Sequence, residues 1–96
     1  MNRSASSSFS GQPLFSFVVV ADTHVNERDG VSSSPYRTNQ LANERARHVF
    51  LDIAAMEPAP KFVVHLGDIV HPVPSLPTFQ DAVACFKDIA SPLTVP

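Results

Sequence analysis

The chain has 96 residues, a net charge of -2 and a hydrophobic content of 44%. That is enough for one small globular domain, and a chain this size buries roughly 60–65% of its unfolded surface. The near-neutral balance leaves no electrostatic footprint for nucleic acid or an anionic membrane. The single cysteine, Cys85, excludes an internal disulfide and fits a reducing, cytoplasmic setting. No apolar run approaches the ~20 residues of a membrane span, and no signal-peptide core is evident near Met1.

Residues 1–14 hold Ser4, Ser6, Ser7, Ser8, Ser10, Gly11 and Pro13 and read as a disordered leader. Residues 15–96 read as the ordered part. Residues 15–21 predict a first strand. Its run Phe17-Val18-Val19-Val20 is rich in β-branched residues and short, as a strand buried on both faces of a parallel sheet would be. It ends in Asp22-Thr23-His24. In extended backbone, side chains two apart point the same way, so Asp22 and His24 are expected to leave the strand side by side.

A long polar segment follows, residues 25–39, with Gly30 and Pro35 and no periodicity. It reads equally as a loop shaping access to a site and as a surface insertion. Tyr36 and Arg37 lie in it. Residues 40–56 predict a helix, with Thr38 or Asn39 as its cap. Ala42, Ala46, Val49, Phe50 and Ile53 mark its sheet-facing stripe. His48 falls on the outer face. Pro58 and Pro60 end the helix, since neither continues its hydrogen-bond ladder.

Residues 61–66 predict a second strand, ending in Gly67-Asp68, where the glycine permits a tight turn out of the sheet. His65, inside this strand, reads as a hydrogen-bonded structural histidine. A loop stiffened by Pro72 and Pro74 leads to a second helix, residues 78–90, with Ser75 as a cap. Its apolar face holds Phe79, Ala82, Val83, Phe86, Ile89 and Ala90. Cys85 reads as a small apolar residue of this helix. Residues 93–96 look like the start of a third strand. The order β-α-β-α-(β) predicts an α/β fold with a parallel sheet and right-handed crossovers. Two strands and a stub leave the helices short of sheet, which reads as the front part of a larger domain.

In open α/β sheets, ligands bind at the carboxyl ends of the strands. Parallel neighbouring strands would bring Asp22, His24 and Asp68 to one rim, where carboxylates and an imidazole form a donor set for a metal. Asp-x-His followed by Gly-Asp, each after a strand, resembles the opening of the calcineurin-like metallophosphoesterase superfamily. The resemblance spans residues 15–96. It implies the N-terminal portion of a metallophosphoesterase-like α/β sandwich and hydrolysis of phosphate mono- or diesters at a dinuclear metal site. By that resemblance Asp22 and His24 ligate the first metal and Asp68 bridges two, the ions being Mn, Fe, Zn or Ni. His71 and Asn26 are candidates to support those ligands from behind. The Asp-Thr-His form leans toward a small-molecule phosphodiesterase, as in the cyclic-nucleotide branch.

The family's Gly-Asn-His and Gly-His-x-His blocks lie beyond the position matching Pro96, so this chain is expected to be inactive alone and to need the C-terminal part of the domain. Two alternatives stand beside this reading. One is a non-catalytic relic or binding fragment. The other, a metal-dependent amidohydrolase, would place a second histidine where Asn26 stands and leaves Gly67-Asp68 unexplained. A phosphate-binding P-loop fails for want of Gly-Lys-Ser/Thr, and a zinc finger for want of cysteines.

Overall fold

The computed structural model describes residues 11–96, so most of the expected Ser-rich leader lies outside the described residues. The elements in order are β1 (Val18–Val20), a 3-10 turn (Arg37–Leu41), α1 (Ala42–Ala54), β2 (Val63–His65) and α2 (Thr78–Ala90). The fold is α/β. β1 and β2 pair in parallel, with Val18 opposite Val63, Val19 opposite Val64 and Val20 opposite His65.

Both strands are shorter than the apolar runs predict. The pairing itself reaches further: Lys61 donates its amide to the Ser16 carbonyl, and Val18 to the Phe62 carbonyl. Past Val20 the backbone turns into left-handed conformations and regular strand geometry stops. A last parallel bridge joins Val25 to Val70 on the far side of that kink.

The expected burial on both sheet faces is corrected. Val18, Val20 and Val63 pack against Ala46, Phe50, Ile53 and Ile89 in the core. Val19, between them, is 50% exposed, and Phe15, Phe17 and Leu66 are exposed as well. Side chains alternate across a strand, and the helices contribute their apolar stripes to one face only. On the open face Phe17 stacks on Phe62 at 5.1 Å between ring centroids. An unbroken apolar run therefore signals sheet without saying how many layers cover it.

In α1, Ala42, Asn43, Ala46, Phe50 and Ile53 are buried. Val49, expected on that stripe, is 41% exposed. The stripe is rotated toward Asn43, and the polar residue occupies the interior position. The predicted caps are also corrected. The 3-10 turn runs directly into α1, so Thr38 and Asn39 sit within the turn, and Leu41 at the helix start makes no side-chain cap bond. The Asn39 side chain instead donates from Nδ2 to Ser34 Oγ at 2.6 Å. α1 spans Ala42–Ala54, inside the predicted residues 40–56.

α2 has the predicted bounds, with Asp81 in its first turn and Lys87 in its last, the arrangement that complements the helix dipole. Ser75 is not its cap; Pro77 holds that position without a side-chain bond. Phe86 of α2 meets Phe50 of α1 edge-on at 5.7 Å and His65 of β2 at 5.8 Å, which ties both helices to the same sheet face. Residues 93–96 form no strand. Their one main-chain contact with the sheet is Val63 donating to the Pro96 carbonyl at 2.8 Å. Among the described residues no helix is long and apolar enough to cross a membrane.

Candidate metal centre

The chain leaves both strands through backbone that most residues avoid. Asp22 has φ 58°, His24 45° and Asp68 53°, and these are the non-glycine residues of positive φ among the described residues. Gly67, with φ 125°, adopts a conformation that only glycine takes readily. Left-handed backbone costs an L-residue roughly 1–2 kcal/mol, somewhat less for Asp.

Main-chain bonds hold the kink closed. Leu66 donates to Val20, Asp22 to Gly67, His24 to Asp68, Val25 to Ile69 and His71 to Val25, all at 2.8–3.1 Å. The two strand exits are thus laced together rung by rung.

A side-chain relay completes the lacing. The Gly67 amide donates to His65 Nδ1 at 3.1 Å. With Nδ1 accepting, the neutral imidazole carries its proton on Nε2. Nε2 lies 3.0 Å from Thr23 Oγ1 and donates to it. Thr23 Oγ1 in turn donates to the Ile69 carbonyl at 2.8 Å. Burial pushes the His65 pKa below its ordinary value, against the opposing pull of the Asp22 carboxylate. A proton added at Nδ1 would face the Gly67 N–H head-on, so the relay itself requires the neutral ring. The structure agrees with the sequence reading of His65 as a hydrogen-bonded structural residue.

At this rim Asp22, His24 and Asp68 each offer a ligand atom within 4.8 Å of the others. Asp22 Oδ1 stands 3.9 Å from His24 Nε2. Their convergence does not come from the two-residue repeat of extended backbone, as expected from the sequence. Both lie beyond the strand, and paired left-handed turns bring them together.

The donor set fits a divalent ion. Metal–ligand bonds of ~2.0–2.2 Å space donor atoms ~3–4 Å apart, so closure requires side-chain shifts of about 1 Å or less. Two carboxylates and one imidazole suit Mn, Fe, Zn or Ni. Both Asp side chains are exposed and His24 is half-buried, so the site is open to solvent. His71 is not in this group; its ring centroid lies 5.9 Å from that of His24 and its side chain lines the adjoining groove.

Asn26 is committed elsewhere. Its amide donates to Asn43 Oδ1 at 2.6 Å, its carbonyl accepts from Asn43 Nδ2 at 3.2 Å, and its side-chain Nδ2 donates to the Asn39 carbonyl at 2.8 Å. It is 1% exposed, and its Oδ1 has no hydrogen-bond partner among the described residues. Asn26 therefore anchors the long loop to the start of α1 and is not simply a polar loop residue.

Two further side chains, Arg47 and Cys85, tie the same loop down. Arg47 bridges Asp29 and Asp88 at 3.2 and 3.1 Å. Cys85 Sγ donates to the Glu27 carbonyl at 3.2 Å, and burial raises the pKa of that thiol. Cys85 thus clamps the loop as well as filling the helix face. Tyr36 and Arg37 are exposed, and on the exposed face of α1 His48 Nε2 lies 3.3 Å from Asp52 Oδ2. Asn43 and Thr23 escape a reading of the sequence for ligands. Asn43 leaves one usable signal: a polar residue set beside the apolar stripe of a helix.

The chain matches no protein-family model, no curated protein and no solved structure. Its functional reading therefore rests on the site.

Proposed function

We propose that Asp22, His24 and Asp68 bind a divalent metal ion and that this ion serves the hydrolysis of a phosphate ester. One observation carries the metal reading. The three candidate ligands come from two separate strand exits, converge within 4.8 Å, and are the three non-glycine residues of positive φ among the described residues. Strained backbone held in place by a full set of hydrogen bonds is a mark of functional sites.

The phosphoester reading has a different support. The order Asp-x-His then Gly-Asp, at the ends of parallel neighbouring strands, resembles the calcineurin-like metallophosphoesterases and fits the opening of their α/β sandwich. An ion held here supplies Lewis-acid polarisation of a phosphoryl oxygen and a water of lowered pKa. The chain's own residues orient it. His65 and Thr23 fix the two loops, and Asp68 offers a second carboxylate oxygen for a neighbouring ion. Three protein ligands suffice for one ion and not for two. One ion is therefore the stoichiometry expected at Asp22, His24 and Asp68.

Zinc or manganese titration followed by calorimetry tests the reading. One equivalent should bind, and Asp68→Asn should lower the affinity at least about tenfold without shifting the melting temperature of the metal-free chain. Equal affinities in the two proteins would overturn the assignment.

A further inference from the structure

We infer that the groove running from the metal ligands to α2 binds a compact apolar organic group, aryl or branched alkyl, of the phosphate ester. This deepens the proposed function and rests on it.

The groove has a volume of about 740 Å³, within the range of small-molecule sites. His24 and Asp68 form part of its lining, so a phosphoryl group at the metal ligands would direct its ester substituent into it. Apart from His71 and Lys87 the remaining side chains of the wall are apolar: Ile69, Val70 and Val73 from the loop after Asp68, and Phe79, Val83 and Phe86 from α2. Two of the loop residues in the wall, Pro72 and Pro74, have no main-chain N–H. A sugar or peptide lying along the Ile69, Val73, Phe79 and Val83 side chains would give up its water there without finding matching partners, which is costly. A flat aromatic or branched alkyl group loses nothing of that kind and covers apolar surface. Lys87, in the last turn of α2, also lines the groove and brings a positive charge toward an anionic ligand.

Zinc-loaded chain should be titrated with phenylphosphonate, methylphosphonate and inorganic phosphate, by calorimetry and by amide shifts. The phenyl compound should bind about tenfold or more tighter than the methyl compound. Shifts should appear at Val73, Phe79 and Val83. Val73→Asn and Val83→Asn should each reduce the phenyl preference to about threefold or less and leave inorganic phosphate unchanged. Val73 is 55% exposed, so its variant keeps the test open should Val83→Asn fail to fold. Equal binding of phenyl and methyl compounds to zinc-loaded chain overturns this inference and leaves the metal reading standing. A chain that takes up no zinc overturns the metal reading first, and this one with it.

Discussion

Asn43 pairs with the main chain of Asn26 as a neighbouring strand would, accepting from its N–H at 2.6 Å and donating to its carbonyl at 3.2 Å. One side chain of α1 thus satisfies both main-chain groups of a fully buried loop residue two positions after His24. A third bond, Asn43 Nδ2 to Asp29 Oδ1 at 3.1 Å, adds the far end of the same turn. Asn43→Ala leaves a buried donor and a buried acceptor without partners, and each orphan costs about 1–3 kcal/mol. The variant should melt at least ~10 °C lower than the parent. Asn43→Leu should do no better, although it restores apolar volume. A melting temperature within a few degrees of the parent would show that the clamp is dispensable.

The left-handed candidate ligands predict a trade of stability against binding. Glycine adopts positive φ without penalty, so Asp22→Gly or His24→Gly should stabilise the metal-free chain by ~0.5–1 kcal/mol. Each should also remove metal binding. Thermal melts and zinc titrations on the same samples check both halves. A glycine variant that is clearly less stable than the parent would mean that these backbones are not strained.

His65 predicts a pH dependence whose sign follows from its neutral ring. Its folded pKa lies below the ordinary 6.5, so the unfolded chain takes up the proton first as pH falls. Stability from this group is fully present above pH 6.5 and is lost as pH drops from there toward the folded pKa. Melts at pH 7.5 and pH 5.5 should differ in the parent, with the lower value at pH 5.5. In His65→Gln the difference should shrink. An unchanged difference would assign the pH effect to other groups.

The one-sided sheet predicts opposite outcomes for two apolar residues. Phe50 is 2% exposed and packs between the sheet and Phe86. Phe50→Ala should cost about 3–5 kcal/mol, which a domain of this size can ill bear. Leu66, on the uncovered face, is 69% exposed. Leu66→Lys should change stability by no more than ~0.5 kcal/mol and improve solubility. Urea denaturation separates the two, and a large loss from Leu66→Lys would mean that this face is covered in solution.

Arg47 joins the loop to α2 through Asp29 and Asp88, and its hydrogen bond to Asp88 does most to raise its pKa. The side chains involved are substantially exposed, so screening keeps the pairs weak. Arg47→Ala should cost about 0.5–1.5 kcal/mol, and the cost should fall in 1 M salt. A loss independent of salt would assign the effect to packing by the arginine stem.

Local information in the sequence determines much of this molecule. The β-branched runs specify two strands, and the proline pairs specify where the first helix ends and the next loop stiffens. The recurrence of Ala46, Phe50 and Ile53, and of Ala82, Phe86 and Ile89, specifies which helix faces turn inward. Each of these rests on a periodicity or a steric limit that acts within a few residues. Gly67-Asp68 and Asp22-Thr23-His24 likewise mark the rim where chemistry is to be sought.

Tertiary structure decided the rest, because the remaining contacts join residues 13–58 positions apart. Nothing near Val19 in the chain says whether a second layer covers it; the answer depends on both helices choosing one face. Thr23 and His65 become a relay only when the parallel register sets Val20 opposite His65. Asn26 changes from loop residue to anchor because α1 turns Asn43 toward it. The three candidate ligands meet through left-handed turns, and those turns persist because hydrogen bonds between the two strand exits offset a backbone cost that neither segment could sustain alone.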